Sequence, residues 1–127
     1  SNKSQKGKLG IVFGCEKGGK SDIQIVSSSV FGGRWAGNMR NTKFDIRFDK
    51  KPAFQLEMLT RGRAAYSDSN GINGLAYSKL VGGILGGSSS LAVRTITLTG
   101  DVVEDKIELT GARDALVEAY GACKTSE

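Results

Sequence analysis

The chain has 127 residues, 39% of them hydrophobic, with 18 glycines, one proline and no histidine. That size suits one domain with a real core, and no run of eighteen apolar residues is present to cross a membrane. The net charge of +5 is uneven: residues 1–63 carry 13 basic and 5 acidic side chains, residues 64–127 carry 5 and 8; a solvated basic tail is the expected reading, and an anionic partner on one side the alternative.

Residues 1–7, with Lys3 and Lys6, read as a flexible basic tail ahead of a single β-rich domain over 8–127. Residues 8–15 alternate, with Leu9, Ile11, Phe13 and Cys15 on one face and Gly10, Val12 and Gly14 on the other. Residues 22–28 alternate again, which predicts a hairpin with a five-residue connection. The hairpin contains Gly14-Cys15-Glu16-Lys17-Gly18-Gly19-Lys20-Ser21, the G-x-x-x-x-G-K-[ST] string of a phosphate-cradling loop. That chemistry needs a helix N-terminus after the loop, converging with backbone amides on the phosphates. Residues 21–30 have strand period instead, and the chain lacks a βαβ pattern. A glycine-rich turn is the expected reading, and nucleotide binding through 14–21 the lesser alternative.

Residues 30–41 are expected to form a loop around the only tryptophan, Trp35. Residues 42–49 are the clearest strand, with Phe44, Ile46 and Phe48 inward and Lys43, Asp45, Arg47 and Asp49 outward. After Pro52, Phe54, Leu56 and Met58 make a second inward face, and Arg61-Gly62-Arg63 interrupts it before a short continuation at 64–66. Turn residues fill 68–74. Apolar groups at 76, 77, 80, 81, 84 and 85 predict a short helix, weakened by Gly82-Gly83 and ended by Gly86-Gly87. The paired glycines either let it lie close on a sheet or leave it mobile.

Residues 91–99 form the next strand. Leu91 and Val93 lead into Thr95, Thr97 and Thr99, with Ala92, Ile96 and Leu98 opposite; the threonine row is expected to face solvent or a partner strand. Residues 104–110 follow with Ile107 and Leu109 inward, and Thr110 is the expected cap of a last helix. In that helix Ala112, Ala115, Leu116, Ala119, Tyr120 and Cys123 fall on one stripe.

The two cysteines, Cys15 and Cys123, lie far apart, with no CxxC and no histidine to complete a zinc or haem site. No metal or cofactor is expected. A structural disulfide or two unrelated buried thiols remain; both cysteines sit on core-facing positions, which makes the bond reasonable. A disulfide would place the protein in an oxidising compartment, periplasmic or secreted. The expected fold is mainly β (α+β): an antiparallel β-sandwich or open barrel of about six to eight strands with two short helices, since the connections are too short for crossovers. The C-terminal helix is tied to the first strand.

The order of these segments carries a resemblance. A first strand ends in Cys15, and a central strand reads Phe44-Asp45-Ile46-Arg47-Phe48-Asp49. A glycine-bearing helix precedes Leu91-Ala92-Val93-Arg94, and Ile107-Glu108-Leu109-Thr110-Gly111 leads through Ala115-Leu116 to Cys123. This resembles the VasI-like small exported bacterial accessory proteins of type VI secretion loci. Such proteins often carry a tryptophan after the last cysteine, where this chain has Lys124. The resemblance spans nearly all of the chain between the cysteines. It implies an exported, disulfide-closed, non-enzymatic domain and brings no catalytic residues.

The expected function is therefore a binding or accessory protein of the cell envelope, with inhibitor, immunity protein and secretion accessory as subtypes and another protein as partner. Arg34, Trp35, Arg40, Arg61 and Arg63 are the candidate contact residues, because tryptophan and arginine dominate binding hot spots and neither segment needs them for a core. The competing reading folds Trp35 back over the open end of the sheet. A nucleic-acid module is the second class: the basic half has Trp35, Phe44, Phe48 and Phe54 to stack bases, although those phenylalanines alternate as core residues. An enzyme is the third. Without histidine, acid–base work would fall to Asp45 and Asp49, and the intervening Arg47 favours surface ion pairing there.

Overall fold

The computed structural model describes residues 9–16, 20–68 and 74–125. Eight strands and two helices lie among them: β1 Leu9–Glu16, β2 Lys20–Ser27, β3 Arg34–Ala36, β4 Met39–Phe48, β5 Phe54–Arg61, β6 Ala64–Asp68, α1 Gly74–Leu85, β7 Ser90–Ile96, β8 Val102–Glu108 and α2 Ala112–Thr125. The expected tail at 1–7, residues 17–19 of the turn expected at 16–20 and residues 69–73 of the turn expected at 68–74 lie outside the described residues.

One sheet holds all eight strands in the order β1-β2-β6-β5-β4-β7-β8, with β3 added to β4, and every pairing is antiparallel. It curls into a half-barrel. The Leu9 N–H donates to Asp105 Oδ2 at 3.0 Å, which draws the first strand beside the last. The open-barrel form of the expectation therefore holds, and among the described residues no second sheet faces the first.

Period-two alternation decides what fills the barrel. Ile23 and Ile25 of β2, Phe44, Ile46 and Phe48 of β4, Leu56 and Met58 of β5, and Leu91 and Val93 of β7 are all buried. Each such side chain contributes roughly 1.5–3 kcal/mol through removal from water. Phe31 meets Phe44 edge-on, with ring centroids 5.3 Å apart. Helix α1 turns Ala76, Leu80 and Ile84 into this core. A Cβ on Gly83 would overlap the Phe48 ring, so the glycine allows the helix to lie close on the sheet. Helix α2 packs along β1 and β2 and buries Ala112, Leu116 and Cys123. Its buried stripe is narrower than the spacing predicted, for Ala115 and Tyr120 are exposed.

Cys15 and Cys123 form the disulfide, with Cα atoms 5.3 Å apart and 108 positions between them. It joins the end of β1 to the last turns of α2; Cys123 is buried, whereas Cys15 is exposed at the strand end and not core-facing as its alternation suggested. In the chain-entropy picture a loop of that length stabilises by about 4–5 kcal/mol.

Four local expectations are corrected. Residues 30–41 are not simply a loop: β3 and the start of β4 form a hairpin there, so Arg34 and Trp35 lie in a short strand and Arg40 in a long one. The turn is Gly37-Asn38, with φ of 68° at Gly37 alone. A positive φ at the first of two central residues is a type II′ turn, which suits the twist of a hairpin. Gly62, at 60°, does the same between β5 and β6. The β1–β2 connection is shorter than five residues, because β1 runs to Glu16 and β2 begins at Lys20.

The threonine row is reversed in part as well. Thr95 and Thr97 are buried and Thr99 alone stays exposed, while Ile96 and Leu98 are exposed. The hydroxyls find partners inside the barrel wall: Thr95 Oγ1 donates to Lys43 O at 2.8 Å, and Thr97 Oγ1 lies 3.1 Å from Thr99 Oγ1. A buried hydroxyl costs little once it is hydrogen-bonded. Lastly, α2 opens at Ala112 directly after Gly111, whose φ is 79°, so Thr110 stands one position outside the cap.

Candidate functional site

Strand direction sorts the turns onto two ends of the barrel. At one end the Ser27 N–H donates to Arg63 O and the Phe31 N–H to Gly62 O, both at 2.9 Å. The Leu98 N–H reaches Val30 O at 2.9 Å at the same place. Arg40 stands opposite Thr60, and Arg61 opposite Ala64, beside the β5–β6 turn. The start of β4, its partner β3, the β5–β6 turn and the β7–β8 turn thus share one rim. All five sequence candidates, Arg34, Trp35, Arg40, Arg61 and Arg63, sit on it.

Trp35 is 67% exposed. It does not cover the barrel mouth, whose closing side chain is Phe31, buried beneath the rim. The guanidinium of Arg40 lies 3.9 Å from the centre of the Trp35 ring, and its Nη1 donates to Gly33 O at 2.8 Å. The stacked cation and the hydrogen bond hold the ring against the hairpin and leave its other side to solvent. Three apolar side chains that sequence reasoning passed over join this end: Ile96, Leu98 and Val102, all exposed. Continuing the period from buried Leu91 and Val93 would have placed Ile96 and Leu98 outside. The threonines' polarity masked that signal.

Two hollows flank the rim. One, of about 520 Å³, is lined by Arg34, Trp35, Asn41, Lys43, Glu57 and Ile96. The other, of about 460 Å³, is lined in part by Ser28, Val30, Arg63, Leu98, Asp101 and Val102. The acids here already have partners: Asn41 Nδ2 donates to Glu57 at 3.1 Å and the Thr99 hydroxyl to Asp101 at 3.0 Å. Basic groups outnumber them, so the rim suits an acidic, partly apolar contact surface.

Other candidates are dispersed. Asp49 adopts φ of 50° and leaves the strand face it was expected to share with Asp45. Its carboxylate accepts from the Ser89 and Ser90 N–H groups at 3.0 and 2.9 Å, and from the Ser89 hydroxyl at 2.8 Å. The Ser89 hydroxyl bond does most to hold its pKa below the ordinary aspartate value; desolvation opposes it, and the Ser90 and Ser89 N–H groups add to the lowering. Asp45 stands opposite Arg94 and accepts from Gln55 at 3.4 Å. Phe44 and Phe48 are buried, and Phe54 stacks on Phe48 with centroids 6.3 Å apart, so these rings are not presented to bases. The phosphate-loop string runs into strand β2, not a helix. Among the described residues no cluster of three acidic or cysteine side chains could hold a metal, and no helix is long and apolar enough to cross a membrane. The chain matches no family model, no curated protein and no solved structure.

Proposed function

We propose that this is a non-enzymatic, exported binding protein that engages an acidic surface of another protein through the Trp35 end of its barrel. The observation that carries the reading is Trp35 itself: a large ring, 67% exposed and braced by Arg40, among Arg34, Arg61 and Arg63. Exposing a tryptophan without a partner forgoes the burial of a large apolar area, while a desolvated Trp–Arg cluster is a typical interface anchor. The disulfide accords with an oxidising compartment. Inhibitor, immunity protein and secretion accessory are the subtypes, the last being the one implied by the VasI-like resemblance.

Photo-crosslinking in the native host tests this. A benzophenone side chain at position 35 should give a discrete protein adduct, absent when Arg34 and Arg63 are both changed to Glu. The same probe at Gln55, on the outer face of β5, should give none. Adducts at position 55 and none at 35 would contradict the assignment.

A further inference from the structure

We infer that the partner docks by adding an extended, acid-bearing segment as a new strand along the free edge of β3. The inference rests on the reading of the Trp35 end as the binding surface and deepens it. Strand β3 is three residues long, exposes all three residues and, among the described residues, pairs only with β4. Its register is Arg34 opposite Asn41, Trp35 opposite Arg40 and Ala36 opposite Met39. In a hairpin closed by a two-residue turn, the pair flanking the turn exchanges both backbone hydrogen bonds, and successive pairs then alternate. Ala36 and Arg34 therefore spend their N–H and C=O groups on β4. The Trp35 N–H and C=O point the other way, along the edge that no strand covers.

Such an edge is a template for another chain unless something blocks it. Edges are commonly blunted by shortness, charge, a proline, a bulge or a covering helix. Strand β3 is short and carries Arg34, but no proline interrupts it and no helix packs on it among the described residues, and its one charge repels a basic strand while attracting an acid-bearing one. The 520 Å³ hollow beside it, lined in part by Trp35, Arg34, Lys43 and Ile96, provides room for an extended segment; its one acid, Glu57, stands opposite Lys43 and accepts from Asn41, so Arg34 is the cation left for an incoming carboxylate. The side chains then set what that segment carries. Alternation puts a residue opposite Arg34 on the face shared with Lys43, which calls for a carboxylate. A residue opposite Trp35 shares the tryptophan's face, which calls for an apolar group. An acid–apolar–acid strand is the match: main-chain bonds supply the affinity and alternate side chains the choice.

The probe is an acetylated five-residue peptide alternating glutamate and valine, titrated by tryptophan fluorescence and by amide shifts of labelled protein. Binding should move the Trp35 amide. N-methylation of every second peptide nitrogen should split by position: methylating the set that faces β3 weakens binding about tenfold, and methylating the other set less than about twofold. Equal effects from both sets, together with loss of binding in Arg34→Glu, would overturn the strand edge and leave the arginine surface standing. No binding up to roughly 1 mM peptide would overturn the edge; crosslinking at position 35 then decides the surface separately. A short thymidine strand that binds more tightly than the peptide would overturn both, replacing the protein partner with a single-stranded nucleic acid.

Discussion

The two ends of the barrel are built from similar short turns but use their polar groups in opposite ways. At the helix end, bonds close inward. The Cys15–Cys123 disulfide fastens α2 to β1, Asp49 gathers the N–H groups of Ser89 and Ser90, and Gly83 lets α1 press on Phe48. At the rim, the arginines stand in a partly apolar surface and Trp35 stays in water. On the proposed reading the two ends divide stability from recognition: breaking the contacts of the helix end should destabilise the protein, and changes at the rim should leave its stability almost unaltered.

The largest effect tests the helix end. Reduction, or Cys15→Ser with Cys123→Ser, should lower the unfolding free energy by about 4 kcal/mol, read from urea denaturation. A loss under about 1 kcal/mol would mean that packing alone holds α2 in place. Next come two neighbouring glycines of α1 that should move in opposite directions. Gly83→Ala meets the Phe48 ring and should destabilise by about 1–3 kcal/mol. Gly82→Ala meets open space and should stabilise by up to about 1 kcal/mol through helix propensity. Equal changes in melting temperature would contradict the close contact between helix and sheet.

Asp49 gives a smaller effect with a pH signature. Its carboxyl pKa is depressed in the folded state, so its contribution is fully present above the ordinary aspartate value of 3.8 and is lost as the pH falls through the folded value. Wild type should therefore melt above Asp49→Ala at neutral pH, and the gap should close in acid below that value. A gap that widens in acid would contradict the sign. Arg34→Ala and Arg63→Ala should produce the least change in stability, within about 0.5 kcal/mol by thermal denaturation. A larger loss would make them structural groups of the rim.

Much of the architecture was readable from residue order, for physical reasons that also mark where reading failed. Phe44, Ile46 and Phe48 alternate with four charged residues, and only a half-buried strand satisfies both sets. Cys123 lies on the same helical stripe as Ala112 and Leu116, so the disulfide partner faced the core. Strand β3 was missed because three residues carry no period, and all of them are exposed. The reversed threonines show a different limit. Polarity argued for solvent, but the Lys43 carbonyl that accepts from Thr95 is 52 positions away and has no signature in the local sequence. The rim is the product of such distant pairings. Each arginine stood out as a candidate by type and setting, whereas their meeting at one end depends on the sheet order and the position of the hairpin turns.

The openness of the rim is tested most directly by the fluorescence of Trp35, the chain's only tryptophan. In the free protein it should emit near the solvent limit, and iodide should quench it readily, drawn by the neighbouring arginines. Emission shifted to the blue and resistant to iodide would place the ring in the core, and the surface would lose its only large aromatic anchor.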